Sequence, residues 1–407
     1  MILYTEPSPE LFARVPHTRI YSQVIMKAPS HHTGHRSGHP HPHTHHTEPE
    51  PALRSRRSFL GSLAMVCAAL RLHAQKRSRT DPQRDHSLAE AANNFLASLR
   101  PELRSQYAFA FDDAYRKDWS NLPHYIHPRK GLKIGDLNPG ERAAAHRLIQ
   151  EMMSSQGYSK AEVIMGIVDE FLGSASEAAH NEYGSEFYFL DVFGKPGGDD
   201  PWAVKLDGHH LALNVAVINH NISMTPLHLG ADPAVIPSGR HAGWAILAGE
   251  TAKGFHLRNA LRPEQARQAV LSETVPGDIF TLPGRDQELK TPAGLSGLQG
   301  YPRDLLEGLI DEYLANLRPD VARNYRSEMQ AAGFEKIHFA WMGPSEPGKA
   351  VYYRVHGPTI LIEYDNVFPP NTRGPNDPNH IHTVLRSPAN DFGDDWLRRH
   401  RLEHHPA

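Results

Sequence analysis

Two histidines one residue apart, His380 and His382 in Asn379-His380-Ile381-His382-Thr383-Val384, are the first residues whose spacing suggests chemistry. In an extended segment, positions i and i+2 point to the same side. Two neutral imidazoles on one strand face are a common way to hold one divalent transition metal. A carboxylate would complete a two-histidine, one-carboxylate set, and Glu363 in Leu361-Ile362-Glu363-Tyr364-Asp365-Asn366 is the one chosen for it. His210, in Gly208-His209-His210-Leu211, would be a further ligand or an acid/base group. Asn214, Asn379 and Asp365 would orient these side chains by hydrogen bonding. The same residues serve a metal-free site, with His210 or His382 as base and Glu363 fixing its tautomer. A purely structural pair, each imidazole satisfied by a backbone carbonyl, competes with both, because no spacing matches a diagnostic motif such as His-Glu-x-x-His.

Other chemistries lack their residues. The chain has no Gly-x-Gly-x-x-Gly, no Gly-x-x-x-x-Gly-Lys-Ser/Thr and no Gly-x-Ser-x-Gly. Its single cysteine, Cys67, lies in a segment expected to be removed, which excludes thiolate catalysis and iron–sulfur clusters from the remainder. His220, His228, His241, His400, His404 and His405 read as surface residues without a role. Pro128-Arg129-Lys130-Gly131 is a compact basic turn, either a solvated loop or an anion contact.

The elements that must position the pair come in two similar units. The first runs Phe187–Gly194, a Pro/Gly turn, then Trp202–Val215; the second runs Lys336–Gly343, a Pro/Gly turn, then Val351–Tyr364. Gly194 to Gly208 and Gly343 to Gly357 have the same spacing, so the units superpose without a gap and those glycines should sit at equivalent turns or close approaches. Alternation puts Leu211, Leu213, Val215 and Val217 on a core face together with His209, and His210 and Asn214 on the other. By correspondence, that second face matches Thr359, Leu361, Glu363 and Asp365. Helices precede each unit. Ser87-x-x-Glu90 and Ser159-x-x-Glu162 read as capping boxes, Asn138-Pro139 as N-cap and first helical position. Leu-Arg-Pro-acid recurs at 99–102, 261–264 and 317–320, each a helix start. The expected class is α+β, with internally duplicated helix-plus-antiparallel-meander units at about 137–230 and 303–386. The two meanders would join into one pseudo-symmetric sheet or a partly closed barrel, with the site where they meet.

Several blocks carry a resemblance. Gly208-His209-His210-Leu211-x-Leu213-Asn214, Phe339-Ala340-Trp341, Tyr352-Tyr353-Arg354, Gly357-Pro358-Thr359, Leu361–Asn366, Asn379–Val384 and Asp391-Phe392-Gly393 resemble the bacterial family called Domain of Unknown Function 3500. The similarity spans about residues 87–400. It implies one domain over about 85–400, and the family name carries no activity over to this chain. The Pro/Asn-rich stretch Phe368–Pro375 departs from the family pattern and leaves the loop before His380 open.

Ahead of that domain the chain changes character. Ten of its 28 histidines lie before residue 75, most of them in a Pro/Thr/Ser-spaced tract. Residues 1–53 read as a disordered His-rich leader. Residues 54–74 read as a twin-arginine signal peptide: Ser55-Arg56-Arg57-Ser58-Phe59-Leu60, a short apolar run, and Leu72-His73-Ala74 as the cleavage site. The twin-arginine export machinery is then a partner, the location periplasmic or extracellular, and the apolar run too short for a stable membrane span. Residues 75–407 carry 35 Lys+Arg against 42 Asp+Glu, a net −7 that argues against a nucleic-acid partner. The leading expectation is an exported, metal-dependent enzyme on an unknown polar substrate of the cell envelope. The alternative is a non-catalytic periplasmic ligand-binding protein, with Trp202, Trp341, Tyr352 and Tyr353 as a stacking surface for a small molecule or glycan.

Overall fold

The computed structural model describes residues 85–285, 288–367 and 378–404. The expected leader, the signal segment with Cys67, the Pro/Asn-rich loop and His405 lie outside them. The first helix, α1 (His86–Ser98), buries Leu88, Ala92 and Phe95 and starts from Asp85, so Ser87 lies inside it rather than capping it. The Leu-Arg-Pro-acid motif then opens α2 (Pro101–Gln106) with proline at the first position. Asn138 and Glu141 form a reciprocal capping box on α3 (Pro139–Met152). Ser154 caps α4 (Ser155–Val163), which places Ser159 inside that helix as well. A π-turn, Ile164–Val168, follows directly, then α5 (Asp169–Gly173) and α6 (Glu177–His180).

Strands β1 (Phe189–Phe193), β2 (Trp202–Gly208) and β3 (Leu211–Ile218) form the first meander, joined by β4 (Asn221–Ser223) and β5 (Leu227–Ala231). More helices and strands follow. Helix α7 (Ala248–Ala260) precedes α8 (Pro263–Ala269), again opened by Leu-Arg-Pro-acid, and the short β6 (Val270–Ser272). Helices α9 (Tyr301–Leu314) and α10 (Pro319–Ala332) lead into β7 (His338–Met342), β8 (Tyr352–His356), β9 (Leu361–Asp365) and β10 (Ile381–Arg386), and α11 (Asp394–His404) ends the described chain.

All ten strands share one sheet in the order β1-β2-β3-β5-β10-β9-β8-β7-β6, with β4 on β3. Every pairing is antiparallel except β6 with β7, so the sheet is mixed. It is not closed, which removes the barrel alternative. The reason lies at its edges: the free side of β1 is taken by bridges from Phe109 and Lys133, and that of β7 by β6 and Leu295. Gly194 and Gly343 have φ of 73° and 94°, and a Cβ on either would lie 2.9 Å from a carbonyl oxygen, of Pro201 or Ala350. A Cβ on Gly208 would enter the Tyr188 ring, and one on Gly357 would lie 2.8 Å from Ile337.

Register separates the two faces. Leu206, Leu213, Leu227, Leu385, Ile362 and Val355 follow one another across the sheet on one side and belong to the main hydrophobic core beneath the helices. Trp202, Trp341 and Tyr353 are part of that core, and Tyr352 is likewise fully buried, so these four aromatics present no stacking surface. The opposite face is polar and also buried. It carries Lys205 and Asp207 on β2, Asn214 on β3, His228 on β5, His382 on β10, Glu363 and Asp365 on β9 and Arg354 on β8. Two loops roof it: residues 107–133 reach Lys205 and Asp207, and residues 273–285 reach Glu363 and Arg386.

Candidate metal centre

Strands β5 and β10 join the first meander to the second, and the imidazoles gather beside that joint. His210 occupies the two-residue turn between β2 and β3 at φ 59°, a left-handed conformation uncommon outside glycine. Its backbone fixes it to three segments: its N–H donates to Asn121 O (3.1 Å), its carbonyl accepts from Gly230 N (2.7 Å), and Gly230 pairs with His382. His380 and His382 point to the same side, as strand geometry requires, with ring centroids 4.4 Å apart. The His380 Nδ1–H donates to Val367 O (3.2 Å), which leaves a lone pair on Nε2 facing the His210 Nε2 at 3.0 Å. Two such nitrogens share one proton or one cation. His210, His380 and His382 each offer a ligand nitrogen within 4.8 Å of the others, all buried.

The carboxylate beside this trio is Asp278, not Glu363. The His382 Nδ1–H donates to Asp278 Oδ1 (2.8 Å), the arrangement by which an aspartate commonly fixes a ligating imidazole. Asp365, opposite His382 on β9, is the next carboxylate. Glu363 lies two residues away on the same face but is fully committed elsewhere. Its Oε2 accepts from Phe280 N and Tyr352 O–H (2.8 and 2.7 Å), and its Oε1 accepts from Thr281 N (2.9 Å) and the Thr281 hydroxyl. Alternation along β9 placed it on the right face, yet the roof loop satisfies it. Asn214 donates to Pro226 O (2.9 Å), and Asn379 accepts from Val235 N (2.8 Å) and Ala234 N, tying the end of β5 to the start of β10.

Electrostatics divides the cluster. Burial and the neighbouring imidazoles hold His210 and His228 well below the ordinary histidine value, and burial with His382 does the same to His380. Burial also pulls on His382, but Asp278, by charge and hydrogen bond, with Asp365 and Asp232, pushes it up to about 9. Burial raises Asp278, and the His382 charge and hydrogen bond outweigh it and leave it below the usual carboxylate value. Burial and the Asp278 charge drive Asp365 well above it. Burial thus disfavours charge on His210, His228, His380 and Asp365, whereas the contact between His382 and Asp278 favours the charged form of both, and a cation would compete with protons for these atoms.

Several participants gave no usable signal in the sequence. Asp278 and Asn121 sit on the roof loops, and the Asn121 amide nitrogen lies 3.4 Å from His382 Nε2. His209, assigned to the core face, instead stacks on His210 (3.7 Å between ring centroids), and its Nδ1–H donates to Asp169 Oδ1 (2.7 Å). Asp169 follows the π-turn directly, and such turns are frequent at functional sites. The Tyr188 hydroxyl lies against Asp169 Oδ2 and His209 O (2.7 and 2.6 Å). Outside, Tyr183 packs edge-on to His209, and the half-exposed Tyr125 sits against Tyr183.

Four histidines set aside as surface residues are not on the surface. His228 is fully buried, 5.3 Å from the His382 ring; His400 is buried against Asn219; His220 is half-buried and bonded to Asp85; His241 is half-buried and edge-on to Trp244. Arg129 is no solvated turn either. Its guanidinium is buried against Asp207 (Nε–Oδ2 3.0 Å) and also holds Ser120 O and Leu122 O, which seats the roof loop that carries Asn121. Lys130 beside it is exposed. A cleft of about 560 Å³ between Arg116, Lys117 and the α11 residues Asp394 and Arg398 has none of these imidazoles in its lining.

The fold and the centre together define an α+β protein with an open mixed sheet and a buried histidine–carboxylate cluster at the joint between its two meanders. The chain belongs to the family described as protein of unknown function (DUF3500), whose model matches residues 82–394. No curated protein and no solved structure matches it.

Proposed function

We propose that this protein is an exported, metal-dependent enzyme acting on a polar substrate in the cell envelope. One observation carries the reading: His210, His380 and His382 converge at ligand distance, with His382 anchored by Asp278 and His380 by Val367 O. Nitrogen ligands of this kind suit zinc or a neighbouring divalent transition metal. The metal would act as a Lewis acid on a polar group of the substrate, with Asp169 and His209 beside it as a hydrogen-bonded pair that positions His210. Export is supported by the paired Arg56 and Arg57 ahead of a short apolar run.

The centre also suits a duplicated chain. Leu99–Glu102 and Leu261–Glu264 open equivalent helices, Phe109 and β6 make parallel contacts at the same place on β1 and β7, and Lys133 and Leu295 make matching antiparallel bridges. In this reading the units begin at α1 and α7, earlier than the sequence pattern suggests, and β5 and β10 are equivalent strands meeting across a pseudo-two-fold axis.

Element analysis of protein purified from its native compartment tests the proposal. We expect a stoichiometric divalent transition metal, lost in both His380→Ala and His382→Ala with the circular dichroism spectrum kept. Metal-free protein from cells grown with ample metals, still metal-free after incubation with zinc, would sink it.

A further inference from the structure

We infer that the centre takes two divalent cations, one among His210, His380 and His382, the other among Asp278, Asp365 and His382, with the His382 imidazole between them. This extends the metal reading above and rests on it. Asp278, Asp365 and His382 form a second group whose ligand atoms lie within 4.8 Å of one another. The two nitrogens of His382 have different neighbours: Nδ1 faces Asp278, and Nε2 faces the Asn121 amide on the loop segment that also binds the His210 backbone. With an ion on each nitrogen His382 would bridge as imidazolate: its ring protons would be displaced to solvent, and the Nδ1–H hydrogen bond to Asp278 would give way to a second ion held by both side chains.

An independent observation points to a ligand in the second group. Asp365 is fully buried, and its Oδ1 accepts from Val367 N (3.0 Å), but its Oδ2 has no donor among the described residues, the adjacent Asp278 carboxyl being another acceptor unless one of the two is protonated. A buried carboxylate oxygen without a donor, next to a second carboxylate, is costly unless a cation or a proton lies between them. A divalent ion would meet both carboxylates at once. The Asp278 side chain is 28% exposed and gives the position a route to solvent. The ligand types differ as well. The first position is all nitrogen, whereas the second has two oxygens and one nitrogen and favours a harder ion.

The remaining group at similar distance, Asp169, His209 and His210, is a poorer position. Asp169 and His209 already satisfy each other, and the His209 and His210 rings are stacked at 29°. An ion in the plane of one ring would lie well out of the plane of the other.

The test uses the mature full-length protein, stripped with chelator and titrated with Co(II), with bound cobalt counted after gel filtration. Two equivalents per chain are expected, and Asp365→Asn should bind one. His380→Ala should also bind fewer than two. If Asp365→Asn fails to fold, Asp278→Asn, on the partly exposed loop, reads the same loss. A single equivalent in the unmodified protein, or two equivalents kept in a folded Asp365→Asn, would overturn the second position and leave the histidine site standing. No bound cobalt in the unmodified protein would remove the metal reading itself.

Discussion

Glu363 and Asp278 exchange the roles that sequence spacing assigns them. Glu363 sits on the expected face, but each of its oxygens already accepts two hydrogen bonds, from Phe280, Thr281 and Tyr352. A carboxylate satisfied four times has little left for a metal. Glu363→Gln should therefore be destabilising, because an amide NH2 at either position faces two donors. The expected loss is about 1–3 kcal/mol, read as a lowered midpoint in urea, with metal content unchanged. Metal loss in a folded Glu363→Gln would return Glu363 to the centre. At this scale the sequence made His380 and His382 legible through their spacing and His210 through strand alternation. Asp278 was not legible, since it comes from a loop with no periodicity and lies 104 positions from His382 along the chain.

A sheet face lined by Lys205, Asp207, Glu363 and Arg354 should not be buried, yet it is, beneath the two roof loops. Alternation along β3 identified the apolar face correctly and, carried over to β9, placed Asn214, Glu363 and Asp365 together on the other. What it could not supply was the roof, whose contacts are single hydrogen bonds from irregular backbone, such as Ser120 N and Thr281 N to buried carboxylates. A covered polar face makes the sheet sensitive to acid. His356, on β8, is held down to about 4 by burial, the Arg354 charge and His338. Its ordinary value is about 6.5, so between those values the unfolded chain takes up a proton that the folded one refuses. This contribution to stability is complete above about pH 6.5 and is lost as the pH falls toward 4. His356→Gln should flatten the stability curve across that window relative to the unmodified protein. An unchanged slope would mean that His356 titrates normally in the fold.

For the molecule as a whole, the segment ahead of residue 85 and the domain behind it follow different rules. The domain is held by its core, and helix starts such as Asn138-Pro139 and the Leu-Arg-Pro-acid repeats were legible because capping chemistry is local. Sheet closure was not legible, because it depends on which backbone reaches the outer edges of β1 and β7. The leader and signal are an expectation about handling. Replacing Arg56 and Arg57 together by Lys should trap the precursor inside the cell, shown by fractionation. Deleting residues 1–46 should leave export unchanged. Undiminished export of the double-lysine variant would refute the twin-arginine route.

Among the described residues, the pairing of β5 with β10 is the sole sheet contact between the strand block β1–β5 and the block β6–β10. His210 reaches the centre from one block, and His380, His382 and Asp278 from the other. A cation held there behaves as a clasp, because releasing the ion and parting the two blocks become linked equilibria. At a free concentration one hundred times its dissociation constant, the ion would add about 2.7 kcal/mol to the closed form. The backbone amides of β5 and β10 then become a gauge of occupancy. With the ion removed, their hydrogens should exchange sooner than those deep in β2 or β8, the molecule opening first along its own midline.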